Sequence, residues 1–476
     1  MDFVQFSFYN RLASNRIDMI LIICVILLLF GFVEYIRGKK GIGALVFFFF
    51  LTDGFHFLDM DWTSMKYSDF GLIYMGGIFI INLLSGNLNF FQPKINVYKF
   101  AAIILLFITA EFIRTVGMHE EITNFAIRNY RTYIPLLSFF LVQELSLKEQ
   151  KLLLKQIAFI TIISSILYVL QPVFGVQIFQ HARITEENGT LRYRNIPYLL
   201  YFYLIYITVV FKIYDIKKIL LLVVFIIAVL LARHRAVMFA YVACVLVYII
   251  SARKFGRMIQ LGIAGSLLFL FAGNTILKVF EERDKNRETT TLDDIRNVMN
   301  LDYESVIRDD YDDESDGTLS FRVLLLLERY QYLKDHPKYY WFGIGTRHED
   351  SPYTEKEFNF LLGTVRHNKA GEVEKIGQTS SGDLAWLNPL MRFGVVGIAM
   401  FICFSFLILR YLYKNRKQSD ISMSAFLFYL FLIIISFKND HLYGNMQMFF
   451  VYLLISYTHK LSETKNIIGN YKRQIE

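Results

Sequence analysis

Only seven of the 476 residues are proline, only three are cysteine, and charged residues make up 19% of the chain. So little proline excludes a loop-dominated or polyproline chain, because proline is what breaks long helices. The cysteines, Cys24, Cys244 and Cys403, all sit inside apolar runs, and none pairs up in a polar segment. That excludes a disulfide framework and leaves each thiol as helix packing. Internal repeats and low-complexity tracts are absent. No short basic leader with a small-residue cleavage site accompanies the first apolar run, so it reads as an uncleaved helix. Metal-site patterns are missing too. His336, His348 and His367 lack zinc-ligand spacing, and an EF-hand loop starting at Asp312 would need glutamate where Val323 stands. The Asp-rich run 309–316 reads as a solvated acidic face, and neither metal nor cofactor is expected.

What the chain has is apolar surface, with 55% hydrophobic and 17% aromatic residues arranged in blocks. A bilayer core is about 30 Å thick and takes about 20 apolar residues per helix. Blocks near 17–36, 42–58, 69–86, 98–116, 128–146, 152–172, 196–213 and 217–233 suit such helices. Others lie near 236–251, 258–279, 386–411, 422–438 and 444–459, for 12 or 13 spans. They are apolar on every face, which excludes the alternating strands of a β-barrel. The expected fold is an all-α polytopic integral membrane protein. Residues 1–279 form a membrane region of about ten helices, 280–385 one large external loop, and 386–476 about three helices and a tail.

Basic residues collect in cytoplasmic connections. Residues 37–40, 148–155, 212–218, 253–257, 410–417 and the tail from Lys460 are basic and belong there. The segments 173–195, 280–385 and 439–443 then lie outside. Thirteen spans would also put the N-terminus outside, which Arg11 and Arg16 oppose. Against the same rule, Arg233 and Arg235 of LLARHRAVM emerge at the outer face. Arg114, Arg128, Arg131, Arg183, Arg192 and Arg194 join them there, with almost no lysine. One such arginine snorkels to the interface. Eight together mark a site, because charge at this depth is costly and usually functional. Arginine's planar fork matches phosphate oxygens, so the cluster reads as a receptor for an anionic, diphosphate-like group at the outer boundary. The net charge of +8 selects no partner by itself, and no nucleic acid is expected.

Within the external loop, TLSFRVLLLLERYQYLKDHP has helical apolar spacing and ends before Pro337. It predicts an amphipathic helix with Arg322 near its start, where helix amides add positive potential. The remainder, from WFGIGTRHEDSPY to IGQTSSGD, reads as a Gly-, Ser- and Thr-rich loop re-entering the membrane at Trp386.

The order of these elements resembles the O-antigen polymerase and ligase superfamily, membrane glycosyltransferases of the GT-C fold that act on polyprenyl-diphosphate glycans. The resemblance covers roughly residues 120–460. LLARHRAVM stands where the family has a Ser-Arg-Gly-like turn, and FRVLLLLERYQYL leading to WFGIG resembles its Arg-led helix closed by a Gly-x-Gly turn. SGDLAWLNPLMRFGVVG resembles the His-Asn pair followed by a Gly-x-x-Gly helix start, and LRYRNIPYLLYFYL the loop-to-helix entry. Two departures stand out. Asp383 occupies the family histidine's place, and the turn glycine is absent, so either Arg233 or Arg235 is the equivalent arginine. The missing histidine shifts weight from ligase to polymerase.

The resemblance implies a metal-independent inverting transfer from polyprenyl diphosphate at the periplasmic face of the bacterial inner membrane. Arg233, Arg235 and Arg322 are then assigned to the diphosphate, with Arg128, Arg131 and Arg194 in second line. Arginines can neutralise the leaving group's charge. Asp383 is the base by position, with His348 as fallback, although Asp383 reads equally as the cap of the following helix. The expected partners are a lipid-linked oligosaccharide and a chain-length regulator protein. Two alternatives remain beside ligase. A metal-dependent GT-C branch would use acids of the first outer loop such as Asp53, Asp59 and Asp61, but lacks its usual soluble C-terminal domain here. A lipid-linked oligosaccharide flippase would need charge near mid-membrane and repeat symmetry.

Overall fold

The structure, a computed structural model, describes residues 2–56, 66–118, 121–174, 178–179, 184–187, 190–193, 196–212, 214–232, 235–252, 256, 318–358, 360, 362, 365–367, 373–375, 379, 384–438, 442–443 and 446–475. In chain order the helices begin with α1 (Asp2–Ile36), α2 (Lys40–Leu51), α3 (Tyr67–Leu84), α4 (Asn96–Met118) and α5 (Thr123–Tyr130). Next come α6 (Ser138–Glu144), α7 (Leu147–Phe174), α8 (Leu200–Val210), α9 (Ile216–Leu231) and α10 (Arg235–Ala252). The loop segment holds α11 (Thr318–Asp335), α12 (Pro337–Tyr340) and α13 (Pro352–Glu357). It is followed by α14 (Leu387–Asn415), α15 (Asp420–Ile435) and α16 (Met446–Ile475).

Five of these helices are long and apolar enough to cross a membrane: α1 from Met19, α3, α4, α7 and α14. The helices α2, α8, α10 and α15 are apolar but shorter. The expected span 258–279 lies outside the described residues. Two antiparallel hairpins complete the description, Ile184–Glu187 with Thr190–Tyr193 and Val365–His367 with Val373–Lys375. The fold is thus an all-helical membrane bundle. Its interior is aromatic, and its tyrosine hydroxyls reach main-chain carbonyls: Tyr98 to Tyr452 at 2.8 Å, Tyr203 to Leu154 at 2.9 Å and Tyr443 to Phe401 at 3.0 Å. Those contacts matter because a hydroxyl left unpaired away from water is costly.

Two expectations need correction. The run 128–146 is not one continuous span. It is crossed by α5, a 3-10 helix over Arg131–Leu137 containing Pro135, and α6. Proline lacks the amide that would continue the α ladder, so the chain tightens there into 3-10 form. The second correction concerns the segment after WFGIG, which is not all loop: it contains α13 and the hairpin 365–375.

The two ends of the bundle differ. At one end Glu144 bridges Lys40 and Lys94 at 3.0 and 3.1 Å, and Lys460 reaches the Gln143 carbonyl at 3.1 Å. At the other, the C-terminal turns of α4, the last turn of α5 and the start of α14 meet the segment 339–351. α1 ends beside Lys39 and Lys40, so it runs toward the lysine end.

Candidate functional site

Glycines build the platform. The WFGIG turn of the loop lies backbone to backbone on the MRFGVVG turn that interrupts α14. The Ile344 and Gly345 amides donate to the Met391 and Arg392 carbonyls at 2.9 and 2.8 Å, and the Val396 amide donates to the Trp341 carbonyl at 3.1 Å. Gly394 has φ 63° and ψ −157°, a conformation essentially reserved for glycine. A Cβ there would lie 2.6 Å from the Trp341 carbonyl, and one at Gly343 would lie 2.5 Å from main-chain atoms of residues 391–393. Two motifs far apart in sequence are therefore one structural unit.

The C-terminal end of α4 pins this unit to the bundle. Arg114 holds Glu111 at 2.5 Å and donates to the carbonyls of Phe342 and Gly343 at 3.1 and 3.0 Å. The Thr346 amide donates to Thr115 Oγ1 at 2.9 Å. Ser351 donates to Glu121 at 2.5 Å.

α5 supplies the next layer. Asn129 donates to the Arg347 carbonyl and accepts from Arg392 Nη2 at 2.9 Å. Arg392 Nη1 lies 3.4 Å from the Tyr133 hydroxyl. Arg392 is 7% exposed and makes no ion pair among the described residues. A buried guanidinium held only by an amide and a phenol is expensive, since burying a charge costs unless it is paired. Arg347, also buried, instead pairs with Glu357, which accepts from Tyr339 as well. Burial alone would raise the Glu357 carboxyl, but these contacts and the Arg347 charge hold it below the usual range.

His348 sits beside this layer, half-buried, its ring 5.8 Å from that of Phe125. Arg128 lies over the same Phe125 ring, 5.1 Å from its centroid, and approaches Asp350 at 3.9 Å. Burial depresses the His348 pKa; Asp350 opposes this, and the charges of Arg392 and Arg128 reinforce it. The imidazole is accordingly held neutral. The Asp350 amide lies 3.1 Å from Nδ1. With Nδ1 accepting that bond, the neutral ring carries its proton on Nε2 and offers a donor there.

Of the residues singled out from sequence, His348 and Arg128 thus come together, with Arg392 as a third member. Arg131 turns to α3 and pairs with Asp69 at 3.0 Å. Arg322 lies half-buried in the early turns of α11, a helix that packs Leu324 and Leu325 with Leu387, Leu390 and Met391 of α14. Arg235 opens α10. Arg233, Arg194 and Asp383 lie outside the described residues, as do Asp59 and Asp61. Asp53 lies 3.4 Å from the Tyr198 hydroxyl. No group of three His, Cys, Asp or Glu side chains among the described residues could hold a metal ion. Arg392 and Asn129 escaped the sequence reading, although Arg392 stands inside the quoted MRFGVVG.

This geometry defines a polytopic membrane protein in which the segment 339–351 docks over an arginine-lined end of the bundle. Residues 220–402 match the family described as O-antigen ligase. That match runs from α9 through the Gly394 turn and makes this part of the chain similar to the O-antigen polymerase and ligase superfamily. No curated protein matches the chain.

Proposed function

We propose that the protein is a polysaccharide polymerase of the bacterial inner membrane. It transfers a growing glycan from polyprenyl diphosphate to a sugar hydroxyl of another lipid-linked repeat unit at the periplasmic face. The observation that carries this reading is Arg392, buried with no carboxylate partner among the described residues, beside Arg128 and neutral His348. A site that keeps such a charge is prepared for an external anion. The donor's diphosphate is such an anion, and its charge grows as the glycosidic bond breaks. Arg392 joins Arg322, Arg233 and Arg235 as its ligands, with Arg128, Arg131 and Arg194 behind them.

In the step itself the acceptor oxygen forms a bond to the anomeric carbon from the face opposite the diphosphate. The carbon–oxygen bond to phosphate breaks, the electron pair leaves with the diphosphate, and the hydroxyl proton passes to Asp383. Configuration inverts. His348, protonated on Nε2, serves as a hydrogen-bond donor to sugar or phosphate and is the fallback base only in the other tautomer. Arginine supplies the positive charge, so no divalent metal is required. A chain-length regulator is the expected protein partner.

Asp383→Asn tests the assignment. Asn caps a helix as well as Asp, but the loss of a general base should cut polymerisation about 10²–10⁴-fold. Cells should then accumulate single lipid-linked repeats, and purified wild-type enzyme should work in EDTA. Wild-type ladders from the variant remove Asp383 from the mechanism, and loss of activity on chelation, restored by Mg²⁺, overturns the metal-free mechanism. The family description favours one second reading, a ligase passing the glycan to a different acceptor. Chains that lengthen yet stay on the lipid carrier in the variant would establish it.

A further inference from the structure

At the lysine end, far from the site above, a cavity of about 850 Å³ opens between the last turns of α8, α10 and α14 and the first turn of α15. That volume lies within the range of small-molecule sites, about 300–1,000 Å³. Its lining is mixed. Val209, Tyr248, Ile250 and Met423 are largely apolar, while Arg416, Lys417 and Ser419 are charged or polar.

Arg416 is held in place by its own helix. Its guanidinium carbon stacks 3.7 Å from the Tyr413 ring centroid, and Nη1 donates to the Tyr413 carbonyl at 2.7 Å. Neither Arg416 nor Lys417 makes an ion pair among the described residues, and Arg416 Nε finds no protein acceptor. Asp420 is the single carboxylate on the wall among the described residues. α8 explains the space: its 11 residues rise about 16 Å, roughly half a bilayer core. With Val209 one residue from its end, α8 leaves room where the longer α14 continues to Asn415.

We infer that this cavity binds a phosphate group carried by an amphipathic ligand, with the phosphate on Arg416 and Lys417 and the apolar part along Ile250, Val209 and Met423. The headgroup of an anionic glycerophospholipid has this chemistry, and the apolar lining favours it over a soluble phosphate. Arginine's fork and a neighbouring lysine are the usual means of holding phosphate oxygens, and basic clusters at a membrane boundary attract anionic lipid. The site is independent of the transfer reaction, and nothing in the proposed mechanism requires it.

Thermal unfolding of the detergent-purified full-length protein tests it, titrated with dioleoylphosphatidylglycerol, dioleoylphosphatidylcholine or inorganic phosphate. Phosphatidylglycerol should raise the midpoint, whereas phosphatidylcholine with the same acyl chains should not. The Arg416→Gln, Lys417→Gln double variant should weaken the response to phosphatidylglycerol about tenfold or more, the loss of two charge-assisted contacts. Asp420→Asn should strengthen it, a gain that misfolding cannot imitate. Inorganic phosphate acting alone with the same variant dependence would assign the phosphate to a soluble source. Equal responses to the two lipids overturn the inference, as does a double variant that folds and responds like wild type or an Asp420→Asn that changes nothing.

Discussion

The two ends of the bundle solve the problem of charge at a membrane boundary differently. At the lysine end, Glu144 is shared by Lys40 and Lys94, and Lys94 is half exposed. Long flexible stems reach water, and many geometries satisfy such pairs. At the opposite end the buried cations Arg329, Arg347 and Arg392, and the half-buried Arg114, are all arginine, while Lys66, Lys334 and Lys338 stay exposed. These guanidiniums bind main-chain carbonyls, amides and single carboxylates across elements far apart in sequence. Charge that tolerates disorder serves orientation, whereas charge locked into one geometry serves recognition.

The sharpest test of that contrast is Arg392→Ala. Removing one preorganised donor from a developing anion typically costs about 10²–10³-fold in rate, and polymer yield from purified enzyme on lipid-linked repeats should fall by that much. Arg392→Lys should recover little, because a point charge cannot hold Asn129, Tyr133 and a phosphate together. Near-normal yield from both folded variants would make Arg392 a structural brace.

Much of the fold was legible beforehand for a simple reason: apolar blocks with polar ends need no partner to be recognised. α11 was read over 318–336 and found at Thr318–Asp335, because Leu and Tyr recur at helical spacing and Pro337 stops it. The break within 128–146 was not legible, since polar residues at both ends of the run read as helix ends and Pro135 alone does not show that α5 and α6 separate. Arg392 was hidden for another reason. Its partner Asn129 lies 263 residues away, so only the folded chain shows that it is buried with no carboxylate partner among the described residues. WFGIG and MRFGVVG were both noticed, but nothing in either says that they pack on each other.

His348 allows a finer test. As a neutral donor through Nε2, its replacement by Ala should cost about 10–10²-fold, within the range for losing a hydrogen bond near developing charge. His348→Gln should restore part of the rate, because an amide still donates; a general base would not be rescued. The depressed pKa sets the pH profile. Above it the ring is neutral and active, so wild-type activity should persist through the ordinary imidazole range and decline only at lower pH. A limb at the ordinary imidazole value, or a Gln variant as poor as Ala, would refute the donor role.

Gly394→Ala tests the platform. The φ/ψ required there costs a non-glycine residue about 1–3 kcal/mol, and the added Cβ meets the Trp341 carbonyl. The variant should unfold at lower temperature and lose protection of the Ile344 and Gly345 amides in hydrogen exchange, with α2 and α7 unaffected. Unchanged exchange at those two amides would mean that the turns do not depend on each other.

The smallest effect belongs to the lysine end. Lys94→Ala removes one of two partners of Glu144, yet Lys40 remains 3.0 Å away and the Lys94 side chain is 50% exposed. Exposed ion pairs contribute about 0–1 kcal/mol, so the unfolding midpoint should move barely and salt should erase the difference. Polymer amount and chain length should match wild type, and Lys94→Arg should be indistinguishable from it. A fall in polymer comparable to that of Arg392→Ala would show that the lysine end also takes part in the reaction. The division between an orienting end and a recognising end would then fail, because a residue with loose, replaceable contacts would be carrying chemistry.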